Sequence, residues 1–538
     1  MTDTSSTPPA DLVELFASAE VPARLAHQVA ACLGPGAARE LRDNPWRLLT
    51  VPGVRPEQAD FFARRLLGGE AAPHDPRRVG ALAVHLLLRA AGDGHTVTPA
   101  KSLLSALEAY DPGDAVEAVR AAIGAGEIVA VMDEASETEL LGLASLAAAE
   151  DTVAEGLARL TAMADPLPPA DGVPAEVFEH GVSVLTGPPE AVEEVVRALA
   201  GRPGVVVTAA TDRAAKDVGG AAGSRGGVHR LLEPGPDGYA RGVEHPIEAD
   251  IVVVAEANTL DVERAAALVD ACMDGTHLVL TADPAAPSSL AAGRVLGDAI
   301  ACGVLPVVAL PAEPGGAIGR VAAAAREGGL VPVDPADREV VIVPAGEARE
   351  AAHRTVQLVT DSIPRALGIP AEDVLVVTPA RRGEAGADAL NQALKARLNP
   401  GPGPYDAGDR VVAVTDLPLA AAGEFGSVVT AKPDEDAVEV SFPGGTASVP
   451  GTSLRHGWAV TVHRAQGARW PAVVAVLPGE AAGALTRPVV VGAFSRARRH
   501  LSVVHAAGPE LARAVREREE PARRTRLADL LRENLADV

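Results

Sequence analysis

The residues after Gly187 have the order of a phosphate-binding loop but not its chemistry. An apolar strand pattern leads into Gly187, and an acidic helical pattern follows Pro189. A loop of the type Gly-x-x-x-x-Gly-Lys-Ser/Thr exposes backbone N–H groups, places its lysine on the phosphates and gives Mg²⁺ a hydroxyl ligand. Counted from Gly187, the second glycine is Val192, the lysine is Glu193 and the hydroxyl residue is Glu194.

The charge at this point is therefore reversed. Glu190, Glu193 and Glu194 suit the partial positive charge of a helix N-terminus, but they would repel a triphosphate. A strand, a Gly-Pro-Pro turn and an acidic helix start are also found in α/β domains that bind no nucleotide. The segment alone leaves open whether it is an altered phosphate-binding loop or an ordinary turn.

Length and composition favour a multidomain protein of the cytoplasm. The 538 residues are enough for three or four domains, and 47 % hydrophobic with 2 % aromatic residues predicts cores of Ala, Val and Leu. Cys32, Cys272 and Cys302 lack metal-ligand spacing and fit a reducing compartment. The chain has no long apolar run, and its first residues lack the order of a signal peptide, so we expect no membrane association.

The negative charge is unevenly distributed. The net charge is −24, and residues 1–330 carry −22 of it. Binding to nucleic-acid phosphates normally needs a basic stripe. Such a stripe, or alternatively the decoration of solvated helices, is the expected role of six arginines near the end of the chain. They are Arg496, Arg498, Arg499, Arg523, Arg524 and Arg526.

The first 165 residues read as helical. In residues 1–75, a turn at Gly53 separates a short pattern from the predicted helix Glu57–Leu67. A helix-hairpin-helix of this kind presents backbone N–H groups to a DNA phosphate, and it serves equally as a packing unit. Residues 76–165 form a second helical region, with a long helix predicted over Glu139–Met163 and a Pro-rich linker at 165–169.

Two α/β domains follow, at residues 166–335 and 336–538. Short Val-rich runs alternate with helical patterns, which predicts βαβ units and parallel sheets. The predicted strands are Ser183–Thr186, Val205–Thr208, Asp250–Val254, His277–Thr281, Val304–Leu310, Glu339–Val343, Val374–Thr378, Val473–Leu477 and Leu501–His505. Residues from about 405 to 455 are Gly-rich and β-branched, which predicts a small antiparallel barrel inserted into the second domain.

Eight short strings, in a fixed order, connect the chain to a known family. They are Asn44–Leu48, Thr208–Lys216, Val228–Glu233, Val376–Gly386, Leu390–Pro400, Gly408–Val411, Ala459–Gly467 and Phe494–Ala497. In this order they resemble the RecD-like superfamily 1 DNA helicases over nearly the whole chain. The resemblance implies an α/β fold with two tandem RecA-like parallel-sheet domains, a helix-hairpin-helix N-terminal region and a small SH3-like β-barrel insert.

The resemblance also implies which residues contact DNA. His229, Thr461 and His463 fall on positions that line the single-strand channel, with Arg230 beside His229, and Gly53 falls in the helix-hairpin-helix turn. The turn Gly423–Gly426 belongs to the barrel that touches the strand. Bases stack on aromatic side chains, but Trp458 and Trp470 are the nearest candidates, and we expect Trp458 in the core.

The departures from the family concentrate where ATP and Mg²⁺ would bind. Gly187, Pro189, Glu193, Glu194 and Asp283 make up the degenerate nucleotide site. Other losses follow the same trend. Ala255 replaces the metal-holding Asp before Glu256, Ala286 replaces the Gln that senses the γ-phosphate, residues 311–316 supply no Arg, and Arg469 replaces a Glu.

Three vestigial catalytic residues remain, Glu256, Gln466 and Arg496. Gln466 and Arg496 are equally suited to packing in the interdomain cleft. We therefore expect a pseudo-helicase without cofactor that binds single-stranded DNA or a DNA fork, together with an unidentified protein partner. Two alternatives are an active ATP-dependent 5′–3′ DNA helicase with non-standard nucleotide contacts, and an acidic interaction scaffold without DNA binding.

Overall fold

The computed structural model describes residues 9–22, 24–133, 136–236, 238–311, 315–334, 336–432 and 437–536. They form two compact units. The first contains the residues up to Ala149 together with Ala291–Gly293 and Arg523–Arg526, and the second contains the rest. Within the described residues, the helices all fall short of the length and apolarity that a membrane crossing requires.

The first unit is mainly helical. Its helices are α1 (Ala10–Ser18), α2 (Arg24–Leu33), α3 (Ala37–Asp43), α4 (Pro56–Leu67), α5 (Pro76–Gly92), α6 (Ala100–Glu108), α7 (Ala115–Gly124) and the start of α8 (Ala144–Met163). Its strands are β1 (Val97–Pro99), β2 (Ile128–Asp133) and β3 (Thr138–Leu143). In α4, Pro56 occupies the first turn, where its missing N–H costs nothing, and Ala59, Phe62 and Ala63 form the buried face.

The helix predicted over Glu139–Met163 is wrong at its start. Residues up to Leu143 form β3, which lies between β1 and β2 in an antiparallel sheet, and α8 begins at Ala144. Leu141 faces Thr98 on one side and Ala130 on the other. Pairing with both neighbours satisfies the backbone of this segment, and that tertiary gain outweighs its local helical pattern. The hairpin partner β2 was not predicted either.

Lobe 1 of the second unit is built on a parallel sheet of order β10-β4-β9-β8-β5. Its strands are β4 (Val182–Thr186), β5 (Val205–Ala209), β8 (Ile251–Ala255), β9 (His277–Ala282) and β10 (Val307–Ala309), with a separate short pair, β6 (Pro234–Gly235) and β7 (Gly238–Tyr239). Its helices are α9 (Glu176–Glu179), α10 (Pro189–Ala200), α11 (Asp212–Gly223), α12 (Val228–Leu231), α13 (Val262–Ala271) and α14 (Val295–Ala301).

Lobe 2 is built on a second parallel sheet, of order β11-β20-β19-β12-β18. Its strands are β11 (Val340–Pro344), β12 (Val374–Thr378), β18 (Ala459–Thr461), β19 (Trp470–Leu477) and β20 (Ala497–His505). Its helices are α15 (Gly316–Arg326), α16 (Ala348–Gln357), α17 (Ile363–Leu367), α18 (Ala387–Leu398), α19 (Arg487–Phe494) and α20 (Pro509–Glu517). Helix α21 (Leu527–Leu535) packs against α14 of lobe 1. Helix α15 packs into the apolar core of this lobe. The two sheets confirm the predicted α/β class.

An antiparallel sheet interrupts lobe 2, as predicted for residues from about 405 to 455. Its strands are β13 (Arg410–Ala413), β14 (Phe425–Lys432), β15 (Ala437–Phe442), β16 (Gly445–Pro450) and β17 (Leu454–His456), in the order β16-β15-β14-β13-β17. This insert has its own core, which includes Val411, Val428 and Val440. Its likeness to an SH3 barrel stays a prediction.

Candidate functional site

The turn before α10 has few backbone donors to offer a phosphate. The N–H of Gly187 is already bonded to the carbonyl oxygen of Ala282, at 3.0 Å. Pro188 and Pro189 have no N–H at all, and α10 begins at Pro189. A phosphate-binding loop depends on free N–H groups at this point. The segment therefore differs from a phosphate-binding loop in its backbone donors as well as in its side chains.

Glu193 points into the cleft between the lobes and is held there by arginines. Both Nη atoms of Arg498 lie 3.0 Å from its two carboxylate oxygens, a bidentate pair. Arg469 Nη1 approaches the same carboxylate at 3.4 Å, and its Nη2 lies 2.5 Å from Glu190 Oε1. Glu193 is 7 % exposed, whereas the neighbouring Glu194 faces solvent.

A second ion pair crosses the cleft at Glu256. Arg496 Nη1 lies 2.8 Å from both carboxylate oxygens, and the N–H of Gly467 donates to Oε2 at 2.8 Å. Glu256 follows β8 in the left-handed conformation, with φ at 50°. Residues other than glycine rarely adopt it, and it persists only where the surroundings hold it. The preceding Ala255 places no carboxylate beside Glu256.

The other residues of the predicted nucleotide site also form hydrogen bonds within the protein. Gln466 accepts a hydrogen bond from Asn258 Nδ2 at 2.6 Å and donates to the carbonyl oxygen of Ser288 at 3.3 Å. Asp283 accepts from Arg326 Nε at 2.7 Å. The alternative that Gln466 and Arg496 pack and bridge the interdomain cleft therefore describes their observed contacts.

Little space remains between these groups. The cavity lined by Glu193, Glu256, Arg469 and Arg496 has a volume of about 20 Å³, which accommodates about one water molecule. Pockets for small molecules and cofactors usually occupy roughly 300–1,000 Å³. In the conformation observed, the cleft is filled by its own side chains.

The predicted DNA-contacting residues lie in three different surroundings. His229 is buried, with ring nitrogens 2.9 Å from the carbonyl oxygen of Leu417 and 3.1 Å from the Tyr239 hydroxyl. Arg230 donates to Asp212 at 2.6 Å. Thr461 ends β18 and His463 lies in the next turn, both half-buried.

Gly53 lies in the first unit, in an exposed turn where its φ is 85°. This conformation favours glycine. A DNA contact at any of these five positions, from Gly53 to His463, stays a prediction.

The two tryptophans lie in the interior. Trp458 is 6 % exposed, which confirms the expected core position, and Trp470 is 1 % exposed. The guanidinium of Arg213 lies 3.6 Å from the centre of the Trp470 ring, a cation–π contact. Neither ring is available for a base to stack on in this conformation.

The insert turn Gly423–Gly426 is fixed against lobe 1. The carboxylate of Glu424 is fully buried, and it accepts from the N–H of Asp212 at 2.6 Å and from its neighbour Phe425 at 3.3 Å. Burial, together with the nearby carboxylate of Asp212, raises the pKa of Glu424 to about 7. The turn therefore binds a helix N-terminus through a carboxyl group that titrates near neutrality.

This pKa predicts a pH-dependent stability. Because the pKa of Glu424 is about 7 in the folded state and about 4.5 when exposed, the folded state binds more protons between these values. The stability that this proton binding contributes, about 3 kcal/mol, is fully present below about pH 4.5 and is lost as the pH rises through 7. In urea unfolding, we therefore expect the wild type to lose stability relative to Glu424→Gln as the pH rises from 5 to 8. A difference that stays constant over this range would contradict the prediction.

The C-terminal arginines do not decorate solvated helices, so that expectation is wrong. Arg498 and Arg499 lie in strand β20, at a shift in its register with β19, and Arg496 is 1 % exposed. Arg523 and Arg526 lie in the first unit and donate to backbone carbonyls, Arg523 to Gly293 at 2.8 Å and Arg526 to Ala147 at 2.9 Å. Most of these arginines serve contacts within the fold.

Sequence reasoning missed the partners of Glu193. Arg469 was noted as a departure, but its pairing with Glu190 and Glu193 was not foreseen, and neither was that of Arg498. The sequence held a signal for the Arg469 pair. Position 193 has an acid where the family pattern has a lysine, and position 469 has a base where the pattern has a glutamate. Residues 311–316 were expected to supply no arginine, and of these Ala312–Pro314 lie outside the described residues.

Three family models match parts of the chain. Residues 8–97 match the ATP-dependent RecD2 DNA helicase HHH domain, residues 177–289 match an AAA domain, and residues 456–504 match the UvrD-like helicase C-terminal domain. The second and third matches fall on lobes 1 and 2. Their order along the chain is the order that the resemblance predicted.

Individual relatives agree with these models. The ATP-dependent RecD2 DNA helicase of Deinococcus radiodurans is 28 % identical over 557 residues, covering 93 % of this chain and 74 % of that protein. The RecBCD enzyme subunit RecD of Mycolicibacterium smegmatis is 30 % identical over 309 residues, covering 52 % and 54 %. Among solved structures, the Pif1 helicase from Bacteroides with ADP-AlF3 and single-stranded DNA shares 12 % identity over 61 % of this chain and 90 % of that chain, with a TM-score of 0.36.

Proposed function

Because this chain belongs to the RecD-like superfamily 1 helicase family, with its two tandem RecA-like domains, we propose that it is a pseudo-helicase. It binds single-stranded DNA or a DNA fork and does not hydrolyse ATP. The observation that carries the proposal is the buried Glu193, bonded by Arg498 and Arg469 where the family has a phosphate-binding lysine.

The remaining groups do not fit a catalytic site for phosphoryl transfer. That chemistry depends on positioning and on neutralising phosphate charge by Lys, Mg²⁺ and Arg. Electrostatic elements of this kind contribute about 2–4 kcal/mol each to the transition state. Here the lysine is replaced by an acid, and Arg496, suited to a phosphate, is bonded to Glu256.

The residues present do not suit Mg²⁺ either. Ala255 and Glu194 stand where the family has a carboxylate and a hydroxyl ligand, and Glu194 faces solvent. The two carboxylates that remain, Glu256 and Asp283, are occupied by Arg496 and Arg326. Over the described parts of the chain, no group of three His, Cys, Asp or Glu side chains is arranged to hold a metal ion.

DNA binding is proposed from family membership and from one local feature. Two of the matched proteins are named as a DNA helicase and a RecBCD subunit. The exposed turn at Gly53, between a short helix and α4, has the form that presents backbone N–H groups to a phosphate. Thr461 and His463 lie half-buried at the end of β18 and supply hydrogen-bonding groups.

The first test is phosphate release from MgATP with and without single-stranded DNA. We expect release by the purified wild type to equal that of a buffer blank in both cases. An Arg496→Met preparation, purified identically, is the control for contaminating ATPases, because contaminants would hydrolyse ATP equally in both samples. DNA-stimulated release by the wild type that is absent from Arg496→Met would establish the active-helicase alternative and overturn the proposal.

The second arm measures DNA binding by fluorescence anisotropy of a labelled oligonucleotide. We expect binding that weakens as salt rises, because phosphate contacts release counterions. His463→Ala should weaken it, whereas His353→Ala, on the exposed side of α16, should not. An absence of binding even at low salt would refute the DNA half of the proposal and favour the acidic interaction scaffold.

A further inference from the structure

The cleft between the lobes contains an internal substitute for a bound anion. We propose that the carboxylates of Glu190 and Glu193 hold the lobes closed in the place of nucleotide phosphates, so that closure is a property of the chain itself. The inference rests on the proposed loss of ATP hydrolysis. It goes beyond that loss, because an inactive site does not by itself imply a closed one.

The carboxylates and their partners come from opposite lobes. Glu190 and Glu193 lie in the first two turns of α10, in lobe 1. Arg469 immediately precedes β19 and Arg498 lies in β20, both in lobe 2. Arg498 forms the bidentate pair with Glu193, and Arg469 contacts both carboxylates. Two guanidinium groups thus converge on two carboxylates, the arrangement that arginines adopt around a phosphate.

A second set of contacts closes the same cleft independently. Glu256 of lobe 1 binds Arg496 and the N–H of Gly467, both in lobe 2. Asn258 of lobe 1 donates to Gln466 of lobe 2 at 2.6 Å. Since these contacts need the same lobe arrangement as the Glu193 pairs, the two sets stabilise one closed state together.

The carboxylates that pair across the cleft do so without any ligand. Glu190, Glu193 and Glu256 bond the guanidinium groups of Arg469, Arg496 and Arg498, and a further carboxylate, of Asp217, lines the same cavity. A triphosphate would have to displace carboxylates that are already bonded, and it would bring an excess of negative charge. Charged groups in low dielectric are costly unless paired, so nucleotide is excluded by the same contacts that close the lobes.

The test is the distance between the lobes, measured by pulsed electron paramagnetic resonance on two spin labels. Ala198→Cys on α10 and Ala366→Cys on α17 are both exposed positions, and the background carries Cys32→Ser because Cys32 is the exposed native thiol. We compare Glu193→Gln, which removes the charge at nearly constant shape, with Glu194→Gln. The second variant makes the same chemical change at the next residue, which faces solvent.

We expect one narrow distance for the wild type without nucleotide, unchanged by millimolar MgATP. Glu193→Gln should broaden the distribution and add a longer distance, while Glu194→Gln should match the wild type. A variant with both Glu193→Gln and Arg498→Gln should be no more open than Glu193→Gln alone, because both changes remove one interaction.

Several results would refute the inference. A broad distribution in the wild type without nucleotide would show that the lobes are not held, and equal behaviour of Glu193→Gln and Glu194→Gln would show that Glu193 does not hold them. Narrowing on addition of MgATP would show that the cleft still takes nucleotide. If the wild type releases no phosphate but is open, the proposed function stands and this inference fails; if it is closed yet hydrolyses ATP, the proposed function fails.

Discussion

Replacing Arg496 by methionine is expected to lower the thermal unfolding midpoint of lobe 2 by on the order of 10 °C. The methionine fills much of the space of the Arg496 side chain, which is 1 % exposed. It leaves the carboxylate of Glu256 without its cation. Breaking a buried ion pair by removing one partner costs about 3–5 kcal/mol, and about 1 kcal/mol shifts the midpoint of a 150–250-residue domain by roughly 2–4 °C. Circular dichroism melts measure the shift.

Two further variants establish that the cost arises from the unpaired carboxylate. Arg499→Met changes the same residue type three positions later at an exposed site, and it should leave the midpoint nearly unchanged. Adding Glu256→Gln to Arg496→Met should recover part of the loss, since no buried charge then remains. If the midpoint of the double variant decreases by the sum of the decreases in the two single variants, Glu256 and Arg496 are not coupled.

The second large effect is expected at Gly181, which precedes β4. A methyl group there would lie 2.0 Å from the carbonyl oxygen of Leu160, in the last turn of α8, and 2.7 Å from the Cβ of Ala164, which follows that helix. Backbone cannot rotate away as a side chain does, so Gly181→Ala has to displace the helix or the strand. Overpacking typically lowers the free energy of unfolding by about 1–3 kcal/mol, and we expect a decrease at the upper end of this range. The measurements are the urea midpoint and amide hydrogen exchange in β4.

Gly201→Ala, at the end of α10, is the matched control in the same lobe. Its added methyl group would meet nothing nearer than the carbonyl oxygen of Ala198, at 3.9 Å, and its φ of −78° suits alanine. It should therefore cost little or stabilise slightly. Equal midpoints for the two variants would mean that α8 yields easily at Gly181, contrary to the contact geometry.

The parallel strands could be predicted because their signal is local. Runs such as Val374–Thr378 and His277–Thr281 are short, apolar and flanked by helical patterns, and a strand buried on both faces needs no more than that. Segments without such a run could not be predicted in this way. The three-residue β18 is defined by its register with β12, and β3 is defined by two partners distant in sequence.

The candidate site was predicted as a set of departures from a family pattern, and the structure adds the contacts that these positions make. Glu193 and Ala255 could be identified by position because the loop and the strand before them keep their order. The pair with Arg498 could not be predicted, because it joins residues 305 positions apart. For the pair with Arg469, 276 positions away, the exchange of charge was the one signal in the sequence. A single sequence also does not show which polar side chains are buried. His229 lies in the interior, where its ring contacts the carbonyl oxygen of Leu417 in the insert.

The pairing of Glu193 with two arginines also limits which residues position 193 can accept. A lysine at position 193 would face the guanidinium groups of Arg469 and Arg498, with no anion between them. Like charges in a buried site repel strongly, so Glu193→Lys alone would destabilise the fold. A basic residue at this position therefore requires simultaneous changes on both lobes.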